Sequence, residues 1–277
     1  MKINKKGIGQ AMLHILLCVL LLVWLYPIIF AVCNSFKTTQ DALNHVLSLI
    51  PQEFTVDNYM HVFETLPFIR ITCNTLLIAL TVTAIKMVTS FMAAYGLVFF
   101  DMKGKGIVYF FMLSTMFIPF TVTMIPNYLL ISKWKLADSI LGVMLPQFAD
   151  VLGIFMLRQS MRTILKALIE VAKLDHISHK KRMLEIILPI VKPAIYSTGI
   201  IFFINSWNEY VWPVLILKSK ENYTLSLALQ MYISAEGGTN FPVAMAVSVM
   251  TMSIPLILYL IFQRQIIDTF AMSGIKG

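Results

Sequence analysis

Six apolar runs, each close to the ~20 residues a helix needs to cross bilayer hydrocarbon, constrain this 277-residue chain more than any other feature. They fall at about 12–33, 71–99, 107–131, 140–157, 190–217 and 242–262. Inside hydrocarbon every backbone N–H and C=O must find a partner within the protein, and helices provide one locally. The predicted fold class is an all-α integral membrane protein with six transmembrane helices, the third interrupted by Pro119 and Pro126. Only 13% of the residues are charged, about half the share usual in a soluble domain, and mean hydropathy is +0.79.

Basic residues orient the spans, because loops rich in Lys and Arg stay in the cytoplasm. With the N-terminus inside, the head, the 100–106 turn, the 158–192 segment and the tail hold fifteen of the 22 Lys and Arg. Both termini are therefore expected in the cytoplasm, and the 34–70 connection, the 132–139 turn and the 218–241 loop outside. The net charge of +8 is spread over loops instead of forming one patch, which argues against nucleic acid as a partner. The first run is longer than the apolar core of a cleavable signal and reads as a retained helix. The expected organisation is a head and first helix over 1–33, an outer connection over 34–70, a core over 71–263 and a tail over 264–277. Cys18, Cys33 and Cys73 lack metal-ligand spacing and read as small buried hydrophobes.

Between 158 and 192 the chain turns basic with an apolar run on either side, so this stretch is expected to leave the membrane as an elbow. Ile164, Leu165, Leu168, Ile169 and Ala172 supply one side of a helix; Arg162, Lys166, Glu170 and Lys173 supply the other. Ser178 is placed to cap a second helix over 179–188, which Pro189 would end. Two short amphipathic helices around a tight turn suit docking into a partner's groove. A basic loop resting on anionic membrane lipid is the alternative reading.

The run Glu170-Val171-Ala172-Lys173-Leu174-Asp175-His176, followed by Ile186, Leu188 and Pro189, resembles the EAA signature of binding-protein-dependent ABC importer permeases. Other residues are similar to carbohydrate-importer permeases related to the maltose-system subunit: Asn34-Ser35-Phe36-Lys37, Asn58-Tyr59, Asn74-Thr75 and Ala93-Ala94-Tyr95. So are Trp207-Asn208-Glu209, Trp212-Pro213 and the ending Ser273-Gly274-Ile275-Lys276-Gly277, which extends the resemblance over nearly the full length.

The resemblance implies a type I ABC importer transmembrane fold whose elbow is a coupling helix seated in a cleft of an ATP-binding subunit. It implies ATPase-coupling roles for Glu170, Val171, Ala172, Asp175, His176, Leu188 and Pro189, with Glu170 pairing to a cation of that subunit. The implied partners are a second permease subunit, two ATP-binding subunits and an extracytoplasmic sugar-binding protein, in a bacterial inner membrane. No cofactor is expected on this chain; ATP and Mg would sit on the ATP-binding subunits. His176 stands where glycine is usual, and histidine tolerates the positive φ such a turn needs, so a variant turn is expected. Leu165 stands where proline is usual, so the helix is expected to start earlier.

Charged and amide groups in hydrocarbon are costly and face a cavity or a partner helix. Asp150 and Gln147 lie in the fourth run, Asn74 and Lys86 in the second; Lys86 is expected to snorkel or to pair with an acid such as Asp150. Asn205, Asn208, Glu209 and Trp212 recur at helical spacing and would share a face suited to a hydroxyl-rich ligand. With Asp150 they are candidate substrate-path residues; hydrogen bonds between helices and interface anchoring are the other reading. The loop Glu236-Gly237-Gly238-Thr239-Asn240 is a surface turn on its residues alone and, by resemblance, reaches into the binding protein's ligand cleft.

No P-loop, His-Glu-x-x-His, Gly-x-Ser-x-Gly or paired-cysteine site occurs. ATP is thus expected to bind elsewhere, no metal site is predicted, and the chain is expected to perform no covalent chemistry. The expected function is ATP-driven import of a di- or oligosaccharide by alternating access. A sugar phosphate or polyol ligand, or a self-contained proton-coupled carrier using Asp150 or Glu209, are the alternatives.

Overall fold

The computed structural model describes residues 5–45, 47–233 and 240–274. Its helices are, in order, α1 (Lys5–Ser35), α2 (Thr39–Asn44), α3 (Asp57–Thr65), α4 (Phe68–Phe99), α5 (Lys105–Thr115), α6 (Phe120–Lys133), α7 (Ile140–Met144) and α8 (Val151–Arg162). There follow α9 (Lys166–Leu174), α10 (His179–Lys181), a π-helical turn (Arg182–Ile187), α11 (Leu188–Ile190), α12 (Lys192–Asn208), α13 (Val211–Ile216), α14 (Leu225–Ile233) and α15 (Phe241–Gly274).

Among the described residues, three stretches are long and apolar enough to cross a membrane unbroken: Met12–Ser35, Phe68–Phe99 and Phe241–Ile261. Three more would be bent pairs: Lys105–Thr115 with Phe120–Lys133 at 93°, Ile140–Gln147 with Val151–Arg162 at 42°, and His179–Ile190 with Lys192–Asn208 at 78°. The third run breaks ahead of Pro119, which caps α6 and disfavours helical backbone in the residue before it. Pro126, expected as a second interruption, lies inside α6.

The chain divides into two compact units, the first comprising residues up to Phe68 together with Ala228–Ile254. In it, none of residues 12–33 of α1 is buried, so its apolar surface requires lipid or another chain to cover it. Past the end of α1 the 34–59 stretch folds back on itself. Asn58 donates from Nδ2 to the Ser35 and Lys37 carbonyls at 2.9 and 2.8 Å, and the Ser35 and Tyr59 hydroxyls share a hydrogen bond of 2.7 Å. Lys37 is fully buried and donates to the His45 carbonyl at 3.0 Å and to that of Ser48. Burial works against an ionised Asp41. The Gln52 N–H, the His45 ring, the Glu53 N–H and the Lys37 charge outweigh it, holding its carboxyl below the ordinary value.

The second unit comprises Ile69–Leu227 and the residues from Pro255 onward. Near the start of α4, Asn74 donates to the Glu221 and Tyr223 carbonyls at 2.8 and 3.2 Å, and the Thr75 hydroxyl accepts from Leu225 N–H at 2.9 Å. Farther along, a Cβ at Gly153 would lie 2.5 Å from both Ser90 Oγ and Phe202 Cζ, so α8 passes its neighbours where only glycine fits. Cys18 and Cys73 are exposed and Cys33 is half-buried, a correction to their reading as buried hydrophobes: α1 and α4 turn these positions toward surface that this chain leaves uncovered.

Asp138, at φ 55° in the turn after α6, holds that turn to the segment after α13. Its carboxylate accepts from the Lys218 and Ser219 N–H groups at 2.9 and 3.1 Å and from the Ser219 hydroxyl at 2.6 Å. The Lys218 N–H and Ser219 hydroxyl, aided by the Ser219 N–H and the Asn222 amide, outweigh burial and lower its pKa to about 2. A depressed carboxyl stabilises above its unfolded value of 3.8 and loses that contribution as pH falls toward about 2. Asp138→Asn should therefore lower the melting temperature at neutral pH, by roughly 2–4 °C for each kcal/mol lost. It should also flatten the acid limb over that window, which thermal unfolding at stepped pH measures.

Candidate functional site

The elbow begins where α8 ends at Arg162, and α9 starts at Lys166 with Leu165 as its N-cap at φ −59° and ψ 125°. The expected earlier start does not occur. Leu165 adopts unaided the φ that a proline would impose. The helix has two apolar sides where the sequence reading had one. Ile164 and Ile169 pack against a core of Phe91, Ala94, Tyr95, Leu157, Met161 and Ile187, and Ala172 is buried beside them in sequence. Leu165, Leu168, Val171 and Leu174 instead stand exposed, at 76%, 39%, 54% and 77%. Glu170, Asp175 and His176 are exposed as well.

The turn after α9 is closed by backbone bonds: Asp175 N–H to Val171 O at 2.9 Å, His176 N–H to Lys173 O at 3.1 Å, and Ile177 N–H to Ala172 O at 3.0 Å. His176 sits at φ 52°, so the variant turn keeps the left-handed geometry glycine would supply. Ser178 caps the next helix as expected, accepting from Lys181 N–H at 3.4 Å. Arg182, read from sequence as one more loop cation, is only 4% exposed and braces the turn by donating to the Ile177 carbonyl at 3.0 Å. Tyr95 Oη lies 3.2 Å from His179 Nδ1, and the Phe100 ring stacks on His179 at 4.5 Å.

Pro189 does not end this helix, contrary to expectation. The π-helical turn opens the backbone around Glu185, four residues before the proline, where the ring would otherwise strike a carbonyl. Helical backbone continues to Ile190, and the 78° bend follows it. Of the proposed coupling residues, Glu170, Val171, Asp175, His176 and Pro189 thus face outward, Leu188 packs on the core and Ala172 is buried.

The predicted face of Asn205, Asn208, Glu209 and Trp212 does not form. α12 stops at Asn208, and Glu209 has extended backbone with ψ 124°. Its Oε1 accepts from Trp212 N–H at 3.1 Å to start α13, while Trp212 is 2% exposed and donates its indole N–H to Gly142 O at 3.2 Å. Asn205 and Asn208 remain exposed. A cavity of about 340 Å³ nearby is lined by Leu80, Tyr196, Phe203 and Tyr259 among others, and by none of these four.

Asp150 has a structural explanation. It caps α8, accepting from Leu152 N–H at 2.9 Å, and its other oxygen lies 3.2 Å from Lys86 Nζ. This is the pairing the sequence suggested. Beside it on α4, Thr89 and Ser90 donate to the Phe148 and Asp150 carbonyls at 3.0 and 3.3 Å. A span that breaks inside hydrocarbon needs its freed carbonyls satisfied; Thr89 does this for Phe148, while the Asp150 carbonyl also accepts from Ile154 N–H at 3.4 Å. In the outer loop Asn240 accepts from the Thr39 hydroxyl at 3.3 Å; Glu236, Gly237, Gly238 and Thr239 lie outside the described residues.

Residues 86–269 match the family described as "Binding-protein-dependent transport system inner membrane component". The chain is 30% identical to the arabinooligosaccharides transport system permease protein AraQ of Bacillus subtilis, over 92% of each protein. It is 27% identical to the sn-glycerol-3-phosphate transport system permease protein UgpE of Pectobacterium atrosepticum, over 94% of this chain and 95% of that one. A crystal structure of a bacterial ABC transporter involved in import of the acidic polysaccharide alginate shares the fold, with TM-score 0.81 at 22% identity over 95% of this chain and 98% of that one. Its type I ABC importer fold and its match over most of its length make this chain a member of the family of inner-membrane components of binding-protein-dependent transport systems, a permease subunit.

Proposed function

We propose that this permease forms part of the path of an ATP-driven oligosaccharide importer, and that its elbow is the lever moved by separate ATP-binding subunits. The observation that carries this is the exposed apolar surface of Leu165, Leu168, Val171 and Leu174 around Glu170, on a helix whose Ile169 side is held to the core. An apolar stripe facing water calls for a groove to cover it, and a helix fixed on its inner side passes on whatever force that groove applies. Asp175, His176 and Pro189 complete the outward surface; Ala172 and Leu188 fix its seat.

The chain has no P-loop, so ATP and Mg belong to two partner subunits and this chain binds no cofactor. The excess of cations in the head, the elbow and the tail puts these in the cytoplasm. The 34–70 connection and the loop carrying Glu236 to Asn240 then face an extracytoplasmic sugar-binding protein, and a second permease completes the 71–263 core. An oligosaccharide is favoured by AraQ, whose name specifies arabinooligosaccharides, and by a fold relative determined with an alginate pentasaccharide-bound periplasmic protein. UgpE raises a sugar phosphate as the second reading. The midspan cation Lys86 is already neutralised by Asp150, which disfavours a phosphate there. Asn205 and Asn208 are the exposed amides left to meet hydroxyls.

Uptake of radiolabelled oligosaccharides by the reconstituted complex tests this. Transport should require both ATP and the ATP-binding subunits, and a cysteine at Val171 should cross-link to one of them. Uptake by the permeases alone, driven by a proton gradient, would overturn the reading.

A further inference from the structure

A cavity of about 610 Å³ opens between the end of α4, the start of α5, the end of α8 and α9. Five cations from three separate segments line it: Lys105, Arg158, Arg162, Lys166 and Lys173. Two carboxylates, Asp101 and Glu170, share the lining, so positive charge is in excess. Among the described residues none of the five cations is in an ion pair; Lys105 donates to the Phe100 carbonyl at 3.3 Å. Arg158 lies over the Tyr109 ring, its guanidinium carbon 3.8 Å from the centroid. Its Nε is buried and has no hydrogen-bond partner. A guanidinium fixed by stacking is preorganised to meet an oxyanion with its terminal N–H groups.

The rest of the lining is apolar, including Leu97, Val98, Ile164 and Ile169. Beside the cavity α5 leaves Ile107, Phe110 and Phe111 each 65% exposed. Cations above an apolar wall match an amphiphile better than a free ion. We infer that this cavity is a binding site for the phosphate headgroup of an anionic membrane lipid. Basic pockets between membrane helices on the cytoplasmic side take such headgroups, and this placement rests on the orientation proposed above. Because Lys166 and Lys173 belong to α9, the bound phosphate ties the lever to α8 and to the start of α5.

The test reconstitutes the complete transporter into phosphatidylcholine vesicles with and without phosphatidylglycerol, extracts it in detergent and counts retained lipids by native mass spectrometry. Wild type should keep phosphatidylglycerol in preference to phosphatidylcholine. Arg158→Gln/Arg162→Gln should lose it by roughly fivefold for each cation removed. Lys105→Gln/Lys166→Gln should do the same without disturbing the Tyr109 stack. Lys180→Gln/Lys181→Gln removes equal charge from the elbow outside the cavity and should keep the lipid. Equal loss in this control, no preference between the two lipids, or displacement by millimolar inorganic phosphate would overturn the assignment, the last in favour of free phosphate. Lipid retention requires neither a known orientation nor contact with an ATP-binding subunit. Its failure therefore leaves the coupling reading standing, and failed cross-linking at Val171 leaves the lipid site standing.

Discussion

Lys86→Met is expected to destabilise the permease by about 3–5 kcal/mol, because it strands the Asp150 carboxylate inside the helix bundle without its countercharge. Lys86 and Asp150 side chains are only 11% and 26% exposed, and Lys86 also lies over the Phe202 ring at 5.2 Å. Asp150→Asn should cost less, since the amide oxygen still accepts from Leu152 N–H and keeps the cap of α8. The double variant Lys86→Met/Asp150→Asn should return to within about 1–2 kcal/mol of wild type, as replacing a buried pair commonly does. Thermal unfolding of the four proteins in detergent gives the cycle directly. Additive single effects would show that the pair contributes nothing. Uptake by the double variant separates structure from transport: a folded protein that still transports has no need of Asp150 as a proton or sugar site.

The six apolar runs were legible because hydropathy is a local property. The bend in the third run was legible too, since Pro119 interrupts it. The bend in the fourth was not, because a span can break inside hydrocarbon only where a distant residue helps satisfy its carbonyls. Thr89 does so for Phe148 across roughly sixty positions, and nothing near Phe148 announces it. One missed signal was available. Pro213 lies four residues after Glu209, where its ring opposes that carbonyl, and this predicts the break that dissolves the 205–212 face. On the elbow, Ser178 and His176 could be read because caps and left-handed turns are written in single residues. The stripe at 165, 168, 171 and 174 was merged with Ile164, Ile169 and Ala172, since composition does not say which apolar side a core already covers. Asn34 to Lys37 and Asn58-Tyr59 were given roles only by resemblance, and Asn74 was read only as an amide that must face a cavity or a partner helix. Their hydrogen bonds show that they fasten segments to one another.

Glu170→Lys is expected to leave folding alone and to cut ATP-driven uptake by about tenfold or more. Glu170 is exposed, and among the described residues no ion pair uses its carboxylate. Surface changes of this kind shift stability by no more than about 0.5 kcal/mol, so melting temperature and membrane insertion should match wild type. At the partner, the reversed charge would meet the cation that Glu170 is proposed to pair with. Losing one side of a buried, hydrogen-bonded charge pair costs roughly 2–5 kcal/mol, well beyond what a tenfold loss requires. Charge reversal of the partner cation should restore part of the uptake, whereas an undiminished rate in the single variant would remove Glu170 from the coupling contact. Because Glu170 also lines the cationic cavity, the new lysine should strengthen retention of phosphatidylglycerol while uptake falls. That divergence separates the two roles: a lever that failed only through its lipid site would lose lipid and transport together.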